Sequence, residues 1–223
     1  MCGRFTLILD PGDLQDEFDL GGIADDYTPR YNIAPTQPVG VVRDASDRKL
    51  ELFRWGLIPS WAKDISIGSK MINARAETLA EKPSFRTALA KRRNLIPTTG
   101  FFEWKTVAGR KAPQFIRLKD HSPFMFAGLW EEWHSPDGGD ILSTTIITCA
   151  ANRLISEFHD RMPVILERRN MWKWLDPTLT VEQATQLLLP FDPEQMEFYP
   201  VDMRVNSPAF DTPVCVEPLG MLF

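Results

Sequence analysis

Cysteine is scarce in this 223-residue chain: three residues, at positions 2, 149 and 215. An odd number so widely spaced builds no disulfide framework and no close metal-ligand set, and it points to a reducing compartment. No run of about 18 apolar residues occurs, so no conventional membrane-spanning helix is expected. The N-terminus lacks the basic segment and following apolar run of a secretory signal. Linkers, repeats and low-complexity stretches are also missing. Histidine is as rare as cysteine. His121 and His134 lie in polar turns and receive no role, which leaves His159. Nothing calls for a metal, a cofactor or a membrane.

The composition is that of an ordinary globular protein, 43% hydrophobic and 25% charged. The length suits one large domain or two small ones and is enough to bury a core. The net charge of −5 argues weakly against a nucleic-acid partner. It conceals an asymmetry. Residues 1–111 hold 17 Lys/Arg against 14 Asp/Glu, a net +3, and residues 112–223 hold 8 against 16, a net −8. Between Arg43 and Arg93 there are 12 basic and 6 acidic residues, a net +6. A local basic surface can hold phosphates on an acidic protein, although a solvated charged face gives the same count.

Periodicity and turn chemistry predict strands at residues 5–9, 39–43, 50–53, 71–75, 95–97, 100–104, 114–118, 124–130 and 141–149. A short helix opens at Asp10-Pro11-Gly12-Asp13, carries Leu14 and Phe18 on one face, and ends at Gly21-Gly22. The Pro-rich stretch 31–38 reads as an ordered loop, 54–62 as an aromatic loop and 137–140 as a turn. The best helix spans 77–93, with Pro83 and Ser84 as a possible break near its start. Shorter helices are expected at 150–158, 171–175 and 181–188. Residues 159–163 form a polar corner before the apolar run 164–166, and 199–201 and 214–216 are short strands or ordered tail. Strands dominate. The expected fold is a single α+β domain, β-rich, with a mainly antiparallel sheet curved into a barrel or sandwich and helices inserted between strands.

Chemistry concentrates at Met1-Cys2-Gly3-Arg4-Phe5. Cys2 is small enough for Met1 to be removed, by a cellular enzyme or by the chain itself. The new terminus would carry an amine and a thiol on adjacent carbons. Near pH 7 roughly a tenth to a sixth of such an amine is neutral, given a pKa of about 7.7–8.0. A neutral amine attacks an aldehyde to give a Schiff base, and the thiol can then close a five-membered thiazolidine. Gly3 leaves room and Arg4 adds a fixed positive charge. Taken alone, Cys2 is more simply read as a tolerated small residue.

Glu103 lies between Phe102 and Trp104 on a strand. Desolvation there would raise its pKa and suit it to proton transfer, unless alternation points it outward. His159, beside Asp160 and Arg161, could shuttle protons near neutrality, or be a surface histidine. Asn73 and Arg75 share one face of a short strand, where an amide could fix a nucleophile and a guanidinium could bind phosphate. Pro35, Trp55 and Trp61 suit stacking on bases, and equally suit core packing. Cys149 ends an apolar strand and reads as an inert core thiol.

Six segments in this order carry a family resemblance: Met1-Cys2-Gly3-Arg4-Phe5, Arg30-Tyr31-Asn32-Ile33-Ala34-Pro35, Trp55-Gly56-Leu57-Ile58-Pro59, Ile72-Asn73-Ala74-Arg75-Ala76-Glu77, Gly100-Phe101-Phe102-Glu103-Trp104 and His159-Asp160-Arg161-Met162-Pro163. With residues 201–218 they resemble the SOS-response-associated peptidase family, the abasic-site processing proteins, over nearly the whole chain. The resemblance implies binding of single-stranded DNA and of single-strand/double-strand junctions, and covalent capture of an abasic site, whose open sugar exposes an aldehyde. It implies that Cys2 is the nucleophile, freed by autocatalytic removal of Met1. Asn73 would orient Cys2 and the sugar, and Glu103 and His159 would move protons, with possible lyase chemistry. Arg4, Arg75 and Arg161 would hold phosphates, Pro35 and Trp61 would shape the DNA groove, and Thr148 would line the site. A monomer in a bacterial cytoplasm, on the nucleoid when bound to DNA, is expected. Class II glutamine amidotransferases also begin Met-Cys-Gly, but they use an Asn-Gly-Glu segment for the oxyanion hole, and this chain has none. A non-catalytic DNA-binding module is the third class.

Overall fold

The strands meet in two sheets. A computed structural model describes residues 2–107, 109–136 and 138–220. The strands are β1 (Phe5–Leu7), β2 (Gly22–Ile23), β3 (Arg30–Ile33), β4 (Pro38–Val42), β5 (Lys49–Trp55), β6 (Asn73–Arg75) and β7 (Arg93–Thr98). There follow β8 (Gly100–Val107), β9 (Arg110–Leu118), β10 (Phe124–His134), β11 (Asp140–Ala150), β12 (Arg161–Pro163), β13 (Ile165–Leu166) and β14 (Met196–Pro200). The helices are α1 (Pro11–Phe18), α2 (Arg86–Lys91), α3 (Arg168–Trp174) and α4 (Val181–Thr185).

One sheet has the order β14-β9-β8-β1-β3, and the other runs β12-β11-β10-β7-β4-β5-β2. A parallel pairing of β5 with β11, Arg54 opposite Ser143 and Trp55 opposite Thr144, closes β4, β5, β11, β10 and β7 into a five-strand barrel. β6 also joins β11 in parallel, and β2 joins β5. The remaining pairings among the described residues are antiparallel. The fold is therefore α+β, mainly antiparallel and barrel-like, with helices inserted between strands, as the sequence predicts. Closure removes the exposed edges that an open sheet of this size would present.

Aromatic rings join the sheets. Phe5 meets Trp55 edge-on at 5.1 Å and Phe126 at 5.9 Å, and Phe101 meets Phe126 at 6.0 Å. Each such pair contributes about 0.5–1.5 kcal/mol beyond the area it buries. The core packing thus fixes the first strand of the chain, and the residues before it, against the barrel. Among the described residues no helix is long and apolar enough to cross a membrane.

Several local expectations are corrected. The helix expected over 77–93 is a 3₁₀ turn, Ala76–Thr78, then a break at Pro83, then α2 over only Arg86–Lys91. Arg93 begins β7 instead. Its guanidinium is buried against the carbonyls of Leu89 at 2.9 Å and Trp174 at 2.7 Å, so it caps the C-terminal ends of α2 and α3 together. The expected loop 31–38 contains β3, because Arg30 and Ile33 pair with Leu7 and Phe5. Only residues 34–37 turn, with Thr36 at φ 72°. The helix expected at 150–158 is reduced to a 3₁₀ turn, Ile155–Glu157, headed by Asn152, whose Oδ1 accepts from Leu154 and Ile155 N–H. The polar corner 159–163 contains β12, and of the two readings of 214–216, short strand or ordered tail, the strand gives way to a 3₁₀ turn, Pro213–Val216. α4 stops at Thr185, short of 188. In the turn expected at 137–140, Asp137 lies outside the described residues; Gly138 and Gly139 adopt φ 91° and 93°.

Candidate functional site

Cys2 lies where the two sheets meet. Phe5 pairs with Phe101, and the carbonyl of Arg4 accepts from the N–H of Phe102 at 2.9 Å, so the N-terminal segment is stitched to β8. On the other side β6 is laid along β11, Asn73 opposite Ile146. From there the Asn73 amide Nδ2 donates to the carbonyl of Cys2 at 2.8 Å. Asn73 Oδ1 is buried with no hydrogen-bond partner among the described residues. Ala74, buried behind it, faces the core, and Arg75 is exposed on the Asn73 face, as the alternation predicts.

The Cys2 thiol is fully buried. Burial pushes its pKa far up, and the negative charge of Glu103 pushes it further. Glu103 is 5% exposed. It points inward, and burial raises its carboxyl above the usual range. Both flanking phenylalanines are buried and Trp104 is half-buried, so β8 is covered on both faces here and the outward reading of Glu103 does not hold. Its cross-strand neighbour Gln114 is also buried.

His159 is partly exposed. Its Nδ1 accepts from the N–H of Arg161 at 2.9 Å and lies 2.6 Å from Asp160 Oδ1. These contacts demand opposite protonation states of Nδ1. Burial lowers the imidazole pKa, with Asp160 opposing, so the neutral ring is favoured. Lys111 holds down the pKa of both His159 and Glu103, which places the two within reach of one cation.

Arg161 is 9% exposed and its fork is engaged. Nη1 and Nη2 meet the two carboxylate oxygens of Glu77 at 2.7 and 2.8 Å, and Nη2 reaches the Thr148 carbonyl at 2.6 Å. Thr148 is buried between Arg75 of β6 and Pro163 of β12. Arg4 is also buried, with Nη1 on Asn32 Oδ1 at 2.7 Å and on the Val205 carbonyl at 2.6 Å. The two tryptophans of the aromatic loop separate. Trp55 is core, its Nε1 on the Ile72 carbonyl at 2.9 Å, and Trp61 is 59% exposed. The loop presenting Trp61 is pinned. Trp133 Nε1 donates to the Ala62 carbonyl at 2.7 Å, and Gly56, at φ 125°, crosses Gly68 so closely that a Cβ would lie 2.5 Å from its carbonyl oxygen. The Pro35 turn springs from the same point, since Thr36 N–H donates to the Trp55 carbonyl at 2.8 Å.

The structure therefore brings together Cys2, Asn73 and Glu103, sets His159 beside them across Lys111, and joins Arg161, Thr148 and Glu77. A cleft of about 560 Å³ lined by Phe18, Phe124, Leu166 and Met171 contains none of them. Sequence reasoning missed Lys111, Gln114 and Asn32 as site neighbours. Cross-strand register signals Gln114, opposite Glu103, and only tertiary packing signals Lys111 and Asn32.

The family model for SOS response associated peptidase (SRAP) matches residues 1–208. The chain belongs to the SOS response associated peptidase family. It is similar to the abasic site processing protein YoqW of Bacillus subtilis, 46% identical over 97% of this chain and 99% of that one. It is similar to the abasic site processing protein HMCES of Xenopus tropicalis, 30% identical over 97% of this chain and 78% of that one. A crystal structure of a Bacteroides thetaiotaomicron protein superposes with TM-score 0.89 at 30% identity, covering 98% of this chain and all of the other. In this SRAP chain the six segments that carry the resemblance converge from β1, β3, β5, β6, β8 and β12.

Proposed function

We propose that this chain processes abasic sites in DNA by capturing the open sugar covalently at Cys2. The observation that carries the reading is the hydrogen bond from Asn73 Nδ2 to the Cys2 carbonyl, made beside a buried Glu103 whose charge acts on the Cys2 thiol. The names of its relatives, abasic site processing proteins, support it.

The chemistry begins with Met1, which lies outside the described residues. While Met1 is attached, the Cys2 nitrogen is an amide and no nucleophile. Hydrolysis of the Met1–Cys2 bond consumes one water and frees the amine, and we read this step as the chain's own peptidase activity. The amine lone pair then adds to the aldehyde carbon of the open sugar. The carbinolamine loses water and becomes an imine. The thiol adds across the C=N bond: sulfur bonds to carbon and its proton ends on nitrogen, closing the thiazolidine. The net change is loss of one water. With the thiol pKa pushed up, amine attack precedes sulfur attack, and a base must take the thiol proton as the ring closes. The His159 imidazole and the Glu103 carboxyl are the groups for this transfer. Release of the strand through β-elimination from the imine breaks the C3′–O bond after a base removes the C2′ proton, and is the lyase branch of the same pathway.

The DNA is single-stranded or a junction. Exposed Arg75 contacts phosphate directly, and Arg161 does so when phosphate displaces Glu77 from its fork. Arg4, two residues from Cys2, adds its positive charge to the phosphate-binding side of the site. Pro35 and Trp61 flank the groove, with Thr148 beneath it.

The test is a denaturing gel of protein with an abasic single-stranded oligonucleotide. Wild type gives a denaturation-resistant product. Cys2→Ala abolishes it and keeps binding to intact DNA. A protein with an uncleavable N-terminal extension retains the thiol and loses the product. Mass spectrometry finds Met1 absent and one water lost on adduct formation. A full, stable adduct on protein that retains Met1 overturns the aminothiol mechanism.

A further inference from the structure

Asn32, on β3, is fully buried, and both ends of its amide are engaged. Its Oδ1 accepts from Arg4 Nη1 at 2.7 Å. Its Nδ2 donates to three carbonyls of one later segment: Phe210 at 2.6 Å, Ser207 at 3.0 Å and Val205 at 3.1 Å. Arg4 Nη1 reaches the same Val205 carbonyl at 2.6 Å, which closes a triangle of Arg4, Asn32 and residue 205.

That segment, residues 203–211, is strapped over β8. Val205 packs with Phe102 and Phe115, and Asn206 Oδ1 accepts from Trp104 Nε1 at 2.7 Å. At its far end the Asp211 carboxylate takes the Tyr31 N–H at 2.6 Å and pairs with Arg30. Phe102 and Trp104 flank Glu103, so the strap borders the strand that carries the proton-transfer carboxylate. The acceptors around Arg4 Nη1 are neutral oxygens, and Arg4 Nε is buried without a partner among the described residues. A guanidinium so buried is costly, and burial lowers its pKa. Surface phosphate binding does not require such an arrangement. It fixes the backbone of Arg4, and between Arg4 and Cys2 stands only Gly3, the residue freest to swivel.

We propose that Asn32 is a positioning residue for the nucleophile. It grips Arg4 and the strap together, denies Gly3 its rotation, and so holds Cys2 in register with Asn73 and Glu103. The proposal rests on the reading of Cys2 as the reacting residue.

Three variants test it. Asn32→Leu removes both halves of the grip. Asn32→Asp keeps an acceptor for Arg4 and removes the donors to the strap. Asp211→Asn loosens the strap where it does not touch Arg4. Single-turnover capture of abasic DNA, apparent Kd, melting midpoint and alkylation of Cys2 by iodoacetamide, resolved by mass spectrometry, are measured on each. Asn32→Leu slows capture about 10-fold at saturating DNA, with Kd within about threefold of wild type, the split that marks lost positioning. It speeds Cys2 alkylation about 10-fold and moves its onset to lower pH, as a loosened segment exposes the thiol. Asp211→Asn melts earlier yet keeps capture and alkylation within about threefold of wild type, and Asn32→Asp, which keeps only the Arg4 half of the grip, falls between it and Asn32→Leu. Wild-type rates in Asn32→Leu overturn the proposal, as do rates in all three variants that track only the melting midpoint. If Asn32→Leu does not fold, Asn32→Ser, too short to reach Arg4, is judged by the same criteria. A wild type that fails to cross-link defeats the covalent reading, and the alkylation measurements still decide the role of Asn32.

Discussion

Asn73 and Cys2, 71 residues apart in the chain, meet at 2.8 Å, amide nitrogen to backbone carbonyl. The bond exists because β6 joins β11 in parallel, opposite the seam where β1 joins β8. A net contribution of about 0.5–1.5 kcal/mol is typical of such a bond. Asn73→Ala is therefore expected to slow covalent capture about 10-fold at saturating DNA, the rate equivalent of about 1.4 kcal/mol. Asn73→Asp, which sets an acceptor against an acceptor, is expected to be slower still. Single-turnover rates of either variant equal to wild type would remove Asn73 from the site.

Glu103 raises the Cys2 thiol pKa, while the thiol, neutral where Glu103 titrates, exerts no reciprocal effect. Glu103→Gln is expected to slow capture by roughly 10²–10⁴-fold as a general acid–base is lost. It should also stabilise the fold at neutral pH. The folded pKa of Glu103 lies above its unfolded value, so its contribution to stability is fully present below the unfolded pKa and lost as pH rises through the raised one. The gain from Gln therefore shrinks on acidification. Denaturation midpoints at pH 7 and pH 4 check this, and a variant less stable than wild type at pH 7 contradicts it.

The Arg161 fork holds the Glu77 carboxyl below its usual range. The sign here is opposite. Stability from this pair is present above the unfolded pKa and lost as pH falls through the lowered folded value. Because Glu77 is half-exposed, solvent screening limits the pair to about 1 kcal/mol. Glu77→Gln should cost that much at pH 7 and nothing once wild-type Glu77 is protonated. Urea denaturation at pH 7 and pH 2 makes the comparison, and an equal loss at both pH values would refute it.

Trp55 and Trp61, six residues apart, should respond oppositely to truncation. Trp55→Ala empties the barrel seam and is expected to cost about 3–5 kcal/mol of stability. Trp61→Ala should leave stability within about 0.5 kcal/mol, since its ring lies outside the core. It should weaken single-strand binding by about 1–3 kcal/mol, the contribution of one stacked base. Arg75→Ala should flatten the salt dependence of that binding by about 0.7 in log–log slope, one phosphate's share. Fluorescence anisotropy across a salt series reads both, and unchanged affinity in Trp61→Ala would assign the ring to another role.

The sequence by itself determined the class of fold and the family, and it marked the residues for which chemistry is proposed. Cys2 after the initiator, Glu103 among aromatics, Asn73 alternating with Arg75, and strands separated by turn residues are local patterns, and local patterns are legible in a single chain. Strand periodicity likewise predicted an α+β protein with a curved antiparallel sheet. Pro83, read from the sequence as a break, stopped the helix over 77–93, because a proline lacks the donor its turn needs. What failed was also local. Arg93, a surface cation by pattern, was drawn inside to cap two helices. Tertiary structure alone decided the rest, because register between distant strands depends on closure of the barrel and not on neighbours in sequence. The β5–β11 pairing set where β6 could dock, and that placed Asn73 against Cys2. Coverage of both faces of β8 turned Glu103 inward, where alternation left its direction open. Asn32, unremarkable in a Pro-rich stretch, acquired its partners only when residues 203–211 returned across the N-terminal segment to satisfy buried polar groups that no nearby residue could reach.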